Sequence, residues 1–251
     1  MSAAPLFLVP NTLDLGESPA PLTDVLPLGV IQQASQIRHW VVENAKSTRA
    51  FLKRVGEVCP LACTLQEMDI RELPRPPKGA KTAPASDYKA LLAPALQGLA
   101  LGLHSEAGMP AVADPGALLV QAAHEAGVKV VPLVGPSSLL MALAASGMNG
   151  QSFAFVGYLP VERAARATRI KELELLSRKQ LQTQMVIETP YRNEALFQGL
   201  LEALQPGTRL SIACGLSLEN AWVRTLTVAA WRKETLSWKD SAPAVFSVLA
   251  G

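Results

Sequence analysis

Apolar residues fall in short runs cut by Gly, Pro and Asp, and the spacing within each run predicts its element. Leu6–Val9 reads as a buried strand stopped by Pro10, followed by a Pro/Gly/Asp-rich loop over 11–21. The run 30–37 fits either strand or helix. Over 43–55, Phe51, Leu52 and Val55 share one face while Lys46, Arg49, Lys53 and Arg54 lie elsewhere, which predicts a helix. Leu73–Ala85 is rich in proline and basic residues and reads as a mobile surface arm. Ser86-Asp87 is expected to cap a helix running through Leu96.

The middle of the chain alternates more regularly. A strand is expected over 99–103, a loop over 104–115, a helix over 117–126 closed by Gly127, and a strand over 129–134. Gly135-Pro136 then turns into a helix that ends at Gly147. Such alternation signals parallel strands. Beyond Gly150, strands are expected over 153–157, 185–188, 210–214, 222–226 and 244–249, with helices over 162–178 and 194–204. The fold class is therefore α/β, as two α/β domains with mixed sheets, 1–135 and 136–251, joined near the Gly135–Gly147 helix.

Composition narrows the function classes. The chain has 251 residues, 49% hydrophobic and 18% charged, with 23 Lys+Arg against 21 Asp+Glu. That balance excludes wholesale disorder and removes any field-driven case for a dedicated nucleic-acid binder. The run 130–161 carries no charged side chain, but Pro132, Gly135, Pro136, Gly147 and Gly150 cut it below spanning length, so no membrane span is expected. The first ten residues lack a basic leader. Three cysteines, Cys59, Cys63 and Cys214, form no disulfide framework and point to reduced thiols in the cytoplasm. No second Cys/His pair complements Cys59 and Cys63, so no metal site is expected.

Three loops fall just after strand ends, where open α/β sheets bind ligands. They are His104–Gly116, Gly135–Ser138 and Glu188–Arg192. Gly108 and Gly135 would let the backbone approach a ligand, Ser137 and Ser138 open a helix N-terminus suited to a carboxylate, and Glu106 can accept hydrogen bonds. Plainer readings stand beside these: Asp114-Pro115-Gly116 as a turn, and either serine as a helix cap. Neither G-x-G-x-x-G nor G-x-x-x-x-G-K-[ST] occurs, and Gly135-Pro136-Ser137-Ser138-Leu139 lacks the second glycine of a nucleophile elbow.

The ordered runs SEAGMPAVADPG, PLVGPSSLLMALAASG, FVGYLP and IETPYRN resemble the tetrapyrrole methylase superfamily of S-adenosylmethionine-dependent methyltransferases. Within it the likeness is closest to the ribosomal RNA small subunit methyltransferase I branch. The resemblance implies a tetrapyrrole methylase-like fold, with the ligand cleft between the two domains, and a homodimer. It implies a pocket for S-adenosylmethionine around Pro10, Glu106, Ala107, Gly108, Met109, Ser137, Ser138, Tyr191, Ala213, Pro243 and Ala244. It also implies ribosomal RNA as acceptor, methylated at a ribose 2′-oxygen. Lys46 and Arg192 then become substrate-binding residues, and Glu43 and Glu188 the candidate bases; salt-bridge or helix-end roles remain open for both carboxylates.

Departures gather on the acceptor side. The family's T-P-I-G-N-L loop has become Asn11-Thr12-Leu13-Asp14-Leu15-Gly16, E-D-T-R has become Glu43-Asn44-Ala45-Lys46, and E-S-P-H-R has become Glu188-Thr189-Pro190-Tyr191-Arg192. A tetrapyrrole or other small molecule as acceptor is therefore the alternative, and a non-catalytic donor-binding descendant a third. The helix after Glu162 carries six basic residues and reads either as an RNA-facing surface or as a solvated face.

Overall fold

The computed structural model describes residues 3–14, 19–74, 84–238 and 242–251. Most of the expected 73–85 arm lies outside these residues. The chain divides into two compact units, Met1–Ser137 and Ser138–Gly251.

The first unit runs β1 (Leu6–Val9), α1 (Leu28–Ser35), β2 (His39–Val42), α2 (Ala45–Val58), β3 (Asp69–Glu72), α3 (Ala85–Leu91), α4 (Ala93–Leu96), β4 (Leu101–His104), α5 (Ala117–Glu125) and β5 (Val130–Pro132). Its strands lie in the order β3-β2-β4-β1-β5, and every pairing is parallel, as the strand–helix alternation of this part of the chain predicts. Both faces are covered. Val9, Trp40 and Val42 pack against Ile31 of α1 and Phe51 of α2, whereas Leu6, Val41, Leu101 and Leu103 pack against Leu92 and against Leu119 of α5. Right-handed crossovers explain the division: connections leading toward β3 lie on one face, those leading toward β5 on the other.

Several boundaries differ from expectation for local reasons. The ambiguous 30–37 run is mostly helix α1. Glu43 precedes α2, because Asn44 caps it by accepting from the Lys46 and Ser47 amides at 2.9 and 3.2 Å. The helix expected through Leu96 starts at Ala85 without a side-chain cap and breaks at Leu92, just before Pro94.

Gly102 makes room for the largest side chain of this sheet. It pairs with Trp40 across β2–β4, and a Cβ there would lie 2.6 Å from the indole of the buried Trp40. Gly102→Ala should therefore cost about 1–3 kcal/mol through overpacking. Urea denaturation checks this; an unchanged midpoint would show that the indole moves freely.

The second unit runs α6 (Ser138–Ser146), β6 (Phe153–Phe155), α7 (Arg163–Gln180), β7 (Thr183–Glu188), α8 (Asn193–Ala203), β8 (Arg209–Cys214), β9 (Trp222–Thr227), α9 (Val228–Trp231) and β10 (Ala244–Leu249). The order is β6-β7-β10-β8-β9; only β6–β7 is parallel, so this sheet is mixed. One face packs against α7 and α8 around Trp231 and Phe246, the other against Leu139 and Leu143 of α6. Among the described residues no helix is long and apolar enough to cross a membrane.

Candidate active site

In the first unit the adjacent strands β1 and β4 send their connections in opposite directions, toward β2 and β5. Their C-terminal loops thus leave the sheet on opposite faces, an arrangement that opens a crevice. Pro10, Glu43, Lys46 and Glu106–Met109 all follow the C-terminal ends of this parallel sheet.

The loops after β1 and β4 are clasped together. The Asn11 amide donates from Nδ2 to the Ser105 and Glu106 carbonyls at 3.2 and 2.8 Å, while its Oδ1 accepts from the Thr12 amide at 2.9 Å. Backbone bonds from Asn11 N to Gly108 O, at 2.9 Å, and from Gly108 N to Thr12 O, at 3.3 Å, complete the clasp. Gly108 has φ +66°, a conformation that glycine adopts without the strain a side chain would bring. Gly135 has a different reason: a Cβ would lie 2.3 Å from Pro10 Cβ, so its missing side chain makes room for Pro10.

Glu43 sits against this clasp. Its Oε2 accepts from the Glu106 amide at 3.1 Å, and its own amide donates to His104 O at 3.1 Å. Burial and the like charges of Asp114 and Glu106 outweigh that hydrogen bond and raise its carboxyl above the usual range. Asp114 serves as the turn: its Oδ1 accepts from the amides of Ala111 and Gly116 at 3.1 and 2.8 Å, just before α5. Lys46 is exposed in the first turn of α2.

His104, scattered in sequence, is the buried end of β4. It stacks on Phe51 at 4.3 Å and donates from Nδ1 to the Val9 carbonyl at 3.0 Å, leaving Nε2 without a partner. Burial pushes its pKa from 6.5 down to about 4. The unfolded chain therefore binds the proton more tightly. The associated stability is present above pH 6.5 and is lost as pH falls through 4, about 3 kcal/mol in all. Raised Glu43 and Asp114 act with the opposite sign, so the test is the difference between the native chain and His104→Leu in denaturant titrations from pH 7 to 4. Equal slopes would rule out His104 as the source.

In the second unit, register aligns Ala244 with Glu188 on one side and Cys214 on the other. The end of β7, the start of β10 and the end of β8 therefore share one edge, which gathers Glu188, Tyr191, Arg192, Ala213, Pro243 and Ala244. The far end of α6 lies at the other edge, where Thr225 Oγ1 donates to Ser146 O at 2.9 Å and Arg209 to Gly147 O at 3.3 Å. Ser138, the first residue of α6, thus lies toward the gathered edge, and Ser137 closes the first unit.

Glu188 is buried and both its oxygens are engaged. Oε2 pairs with Arg192 Nη2 at 2.9 Å, and Oε1 accepts from the Thr189 amide and hydroxyl at 2.8 and 3.2 Å. Arg192 reaches Leu159 O as well, at 3.4 Å. Tyr191, on the short turn between them, is 84% exposed.

Sequence reasoning missed Asn11, Thr12, Asp14 and Arg54. Arg54 donates to Thr12 Oγ1, to Asp14 Oδ2 and, at 2.8 Å, to Ala20 O, pinning the first loop onto α2. Only the polar character of 11–14 hinted at this network. It borders a cavity of about 740 Å³ between that loop and α2, which Glu106 also lines.

The family model for Tetrapyrrole (Corrin/Porphyrin) Methylases matches residues 29–230. A ribosomal RNA small subunit methyltransferase I from Vibrio cholerae serotype O1 is 42% identical over 109 residues, covering 43% of this chain and 36% of its own length. One of the same name from Mesorhizobium japonicum is 36% identical over 140 residues, covering 56% and 46%. The chain thus spans less than half the length of these relatives. Among solved structures, the methyltransferase CobJ is similar over 100% of both chains, with TM-score 0.55 and 15% identity. A uroporphyrin-III-C-methyltransferase from Thermus thermophilus has TM-score 0.51 and 19% identity over 99% of this chain and 93% of its own. These two likenesses concern the fold alone.

Proposed function

Because this chain belongs to the tetrapyrrole (corrin/porphyrin) methylase family, we propose that it is an S-adenosylmethionine-dependent methyltransferase acting on a ribose hydroxyl of ribosomal RNA. The clasped loop Ser105–Gly108 carries this reading: Asn11 holds it through backbone groups alone, leaving the exposed Glu106 side chain available to a ligand. The residues suit such a donor. Glu106 can accept from its hydroxyls, with Pro10 and Ala107–Met109 in the same loops; the family resemblance adds Ser137, Ser138, Tyr191, Ala213, Pro243 and Ala244 as donor-binding residues. When bound, the donor supplies an electrophilic methyl group on a sulfonium.

The chain's own task is then to orient the acceptor oxygen, exclude water and take one proton, and positioning alone can supply on the order of 7–11 kcal/mol. Glu43 is the base in this reading, because its raised pKa brings it nearer neutral pH while Oε1 is left for the acceptor. Glu188, with both oxygens engaged, serves as a positioning residue for Arg192 and Tyr191. The names of the relatives support RNA as acceptor. A cytoplasmic site fits the free thiols of all three cysteines, and homodimerisation follows the resemblance; light scattering tests the latter.

Calorimetry with S-adenosylmethionine, followed by labelled-donor transfer to purified 30S subunits and, separately, to tetrapyrrole precursors, tests the whole reading. Donor binding with label on 30S RNA is expected. Absence of donor binding would sink it, and label on the tetrapyrrole alone would move the acceptor to that class.

A further inference from the structure

We propose that the cavity between α2 and the loop after β1 seats one ribonucleoside of a single-stranded RNA, while Lys46, Arg49 and Lys53 hold the phosphates running past it. The inference rests on the methyltransferase reading above and assigns its acceptor a place. At about 740 Å³ the cavity lies within the range of small-molecule sites. Leu22, Ala50 and Phe51 give it an apolar wall suited to a planar base, and Ser47 and Thr23 bring hydroxyls suited to sugar hydroxyls or a base edge. Asn11 and Thr12 line it too, so the acceptor cavity and the donor loop share one hydrogen-bonded clasp.

The cations decide the ligand class. Spaced three and four residues apart, Lys46, Arg49 and Lys53 lie on one exposed face of α2, in a row about 10 Å long. Among the described residues none of the three has an ion pair. Lys53 lines the cavity and the row continues outside it, as suits a polyanionic chain passing the mouth better than a compact carboxylate-bearing molecule sealed within. The basic helix α7 is tied differently. Arg163 pairs with Glu202 at 2.9 Å and Arg169 with Glu172 at 3.0 Å, and the helix's unpaired cations Lys171, Arg178 and Lys179 border no described cavity, whereas Lys53 does.

The test is fluorescence anisotropy of a labelled single-stranded RNA over a salt series, using the full chain. The native protein should bind, and Lys46→Ala/Arg49→Ala/Lys53→Ala should lose at least about tenfold in affinity and about 2 in the slope of log K against log salt, at ~0.7 per phosphate contact. Ala50→Trp, at an exposed helix position, should fill the base seat and weaken binding severalfold with the slope unchanged. Loss of slope in Lys171→Ala/Arg178→Ala/Lys179→Ala but not in the α2 variant would overturn the proposal. So would an unaffected Ala50→Trp, or a cavity that binds uroporphyrin and no RNA. Parallel calorimetry with S-adenosylmethionine separates the two readings. RNA binding with the α2 signature but no donor binding would refute the methyltransferase reading and leave this assignment standing; donor binding without RNA binding would do the reverse.

Discussion

Arg192→Ala should cost about 3–5 kcal/mol of folding stability, because it strands the Glu188 carboxylate. That carboxylate is almost wholly buried, and Arg192 holds one of its oxygens at 2.9 Å. The other oxygen keeps its bonds to Thr189, so removing the guanidinium leaves a half-satisfied charge at the end of β7. Arg192 also reaches Leu159 O, so the segment before α7 loosens with it. Glu188→Gln should cost less, since it removes the charge but keeps the shape. Replacing both residues by apolar ones of similar volume should recover much of the loss, as paired removal of a buried ion pair often does. A double-mutant cycle in denaturant measures the coupling. A value under about 1 kcal/mol for Arg192→Ala would mean that water reaches Glu188 and that the pair clamps nothing.

The fold was legible where one element carries one clear pattern. Ala244–Leu249, apolar but for Ser247 and free of Gly and Pro, is a strand over the expected residues. Two strands of the first unit had no such signature. Asp69–Glu72 is an edge strand that alternates charge with a single apolar residue, and His39–Val42 mixes an imidazole and an indole with two valines. Both are strands because their neighbours pair with them, which is a tertiary cause. The loops at strand ends could be read from glycine, proline and serine, since turn chemistry is local. The clasp could not be read, because Asn11 and Ser105 are 94 residues apart and meet only when β4 lies beside β1. Gly135 shows the same limit: Pro10 lies where its Cβ would be, a contact across 125 positions that no local pattern announces.

Glu43→Gln should separate stability from turnover more sharply than any other single change. Burial and two neighbouring carboxylates raise the Glu43 pKa, so the folded chain binds that proton more tightly than the unfolded chain. Stability from this group is therefore full below the ordinary carboxylate pKa of 4.5 and falls as pH rises through the raised value. At neutral pH the ionised side chain is a burden, and a neutral amide relieves it. Glutamine also keeps the local structure, since its carbonyl oxygen can accept from the Glu106 amide as Oε2 does at 3.1 Å. Folding stability should thus be unchanged or higher. Methyl transfer should fall by about 10²–10⁴-fold, the usual contribution of a positioned base, while donor affinity is retained. In the native protein the acid limb of the rate profile should lie above the ordinary carboxylate range, and in the variant that limb should disappear. Retained transfer with an unaltered acid limb would reduce Glu43 to a support for the Glu106 amide and return the search for a base to the acceptor's own surroundings.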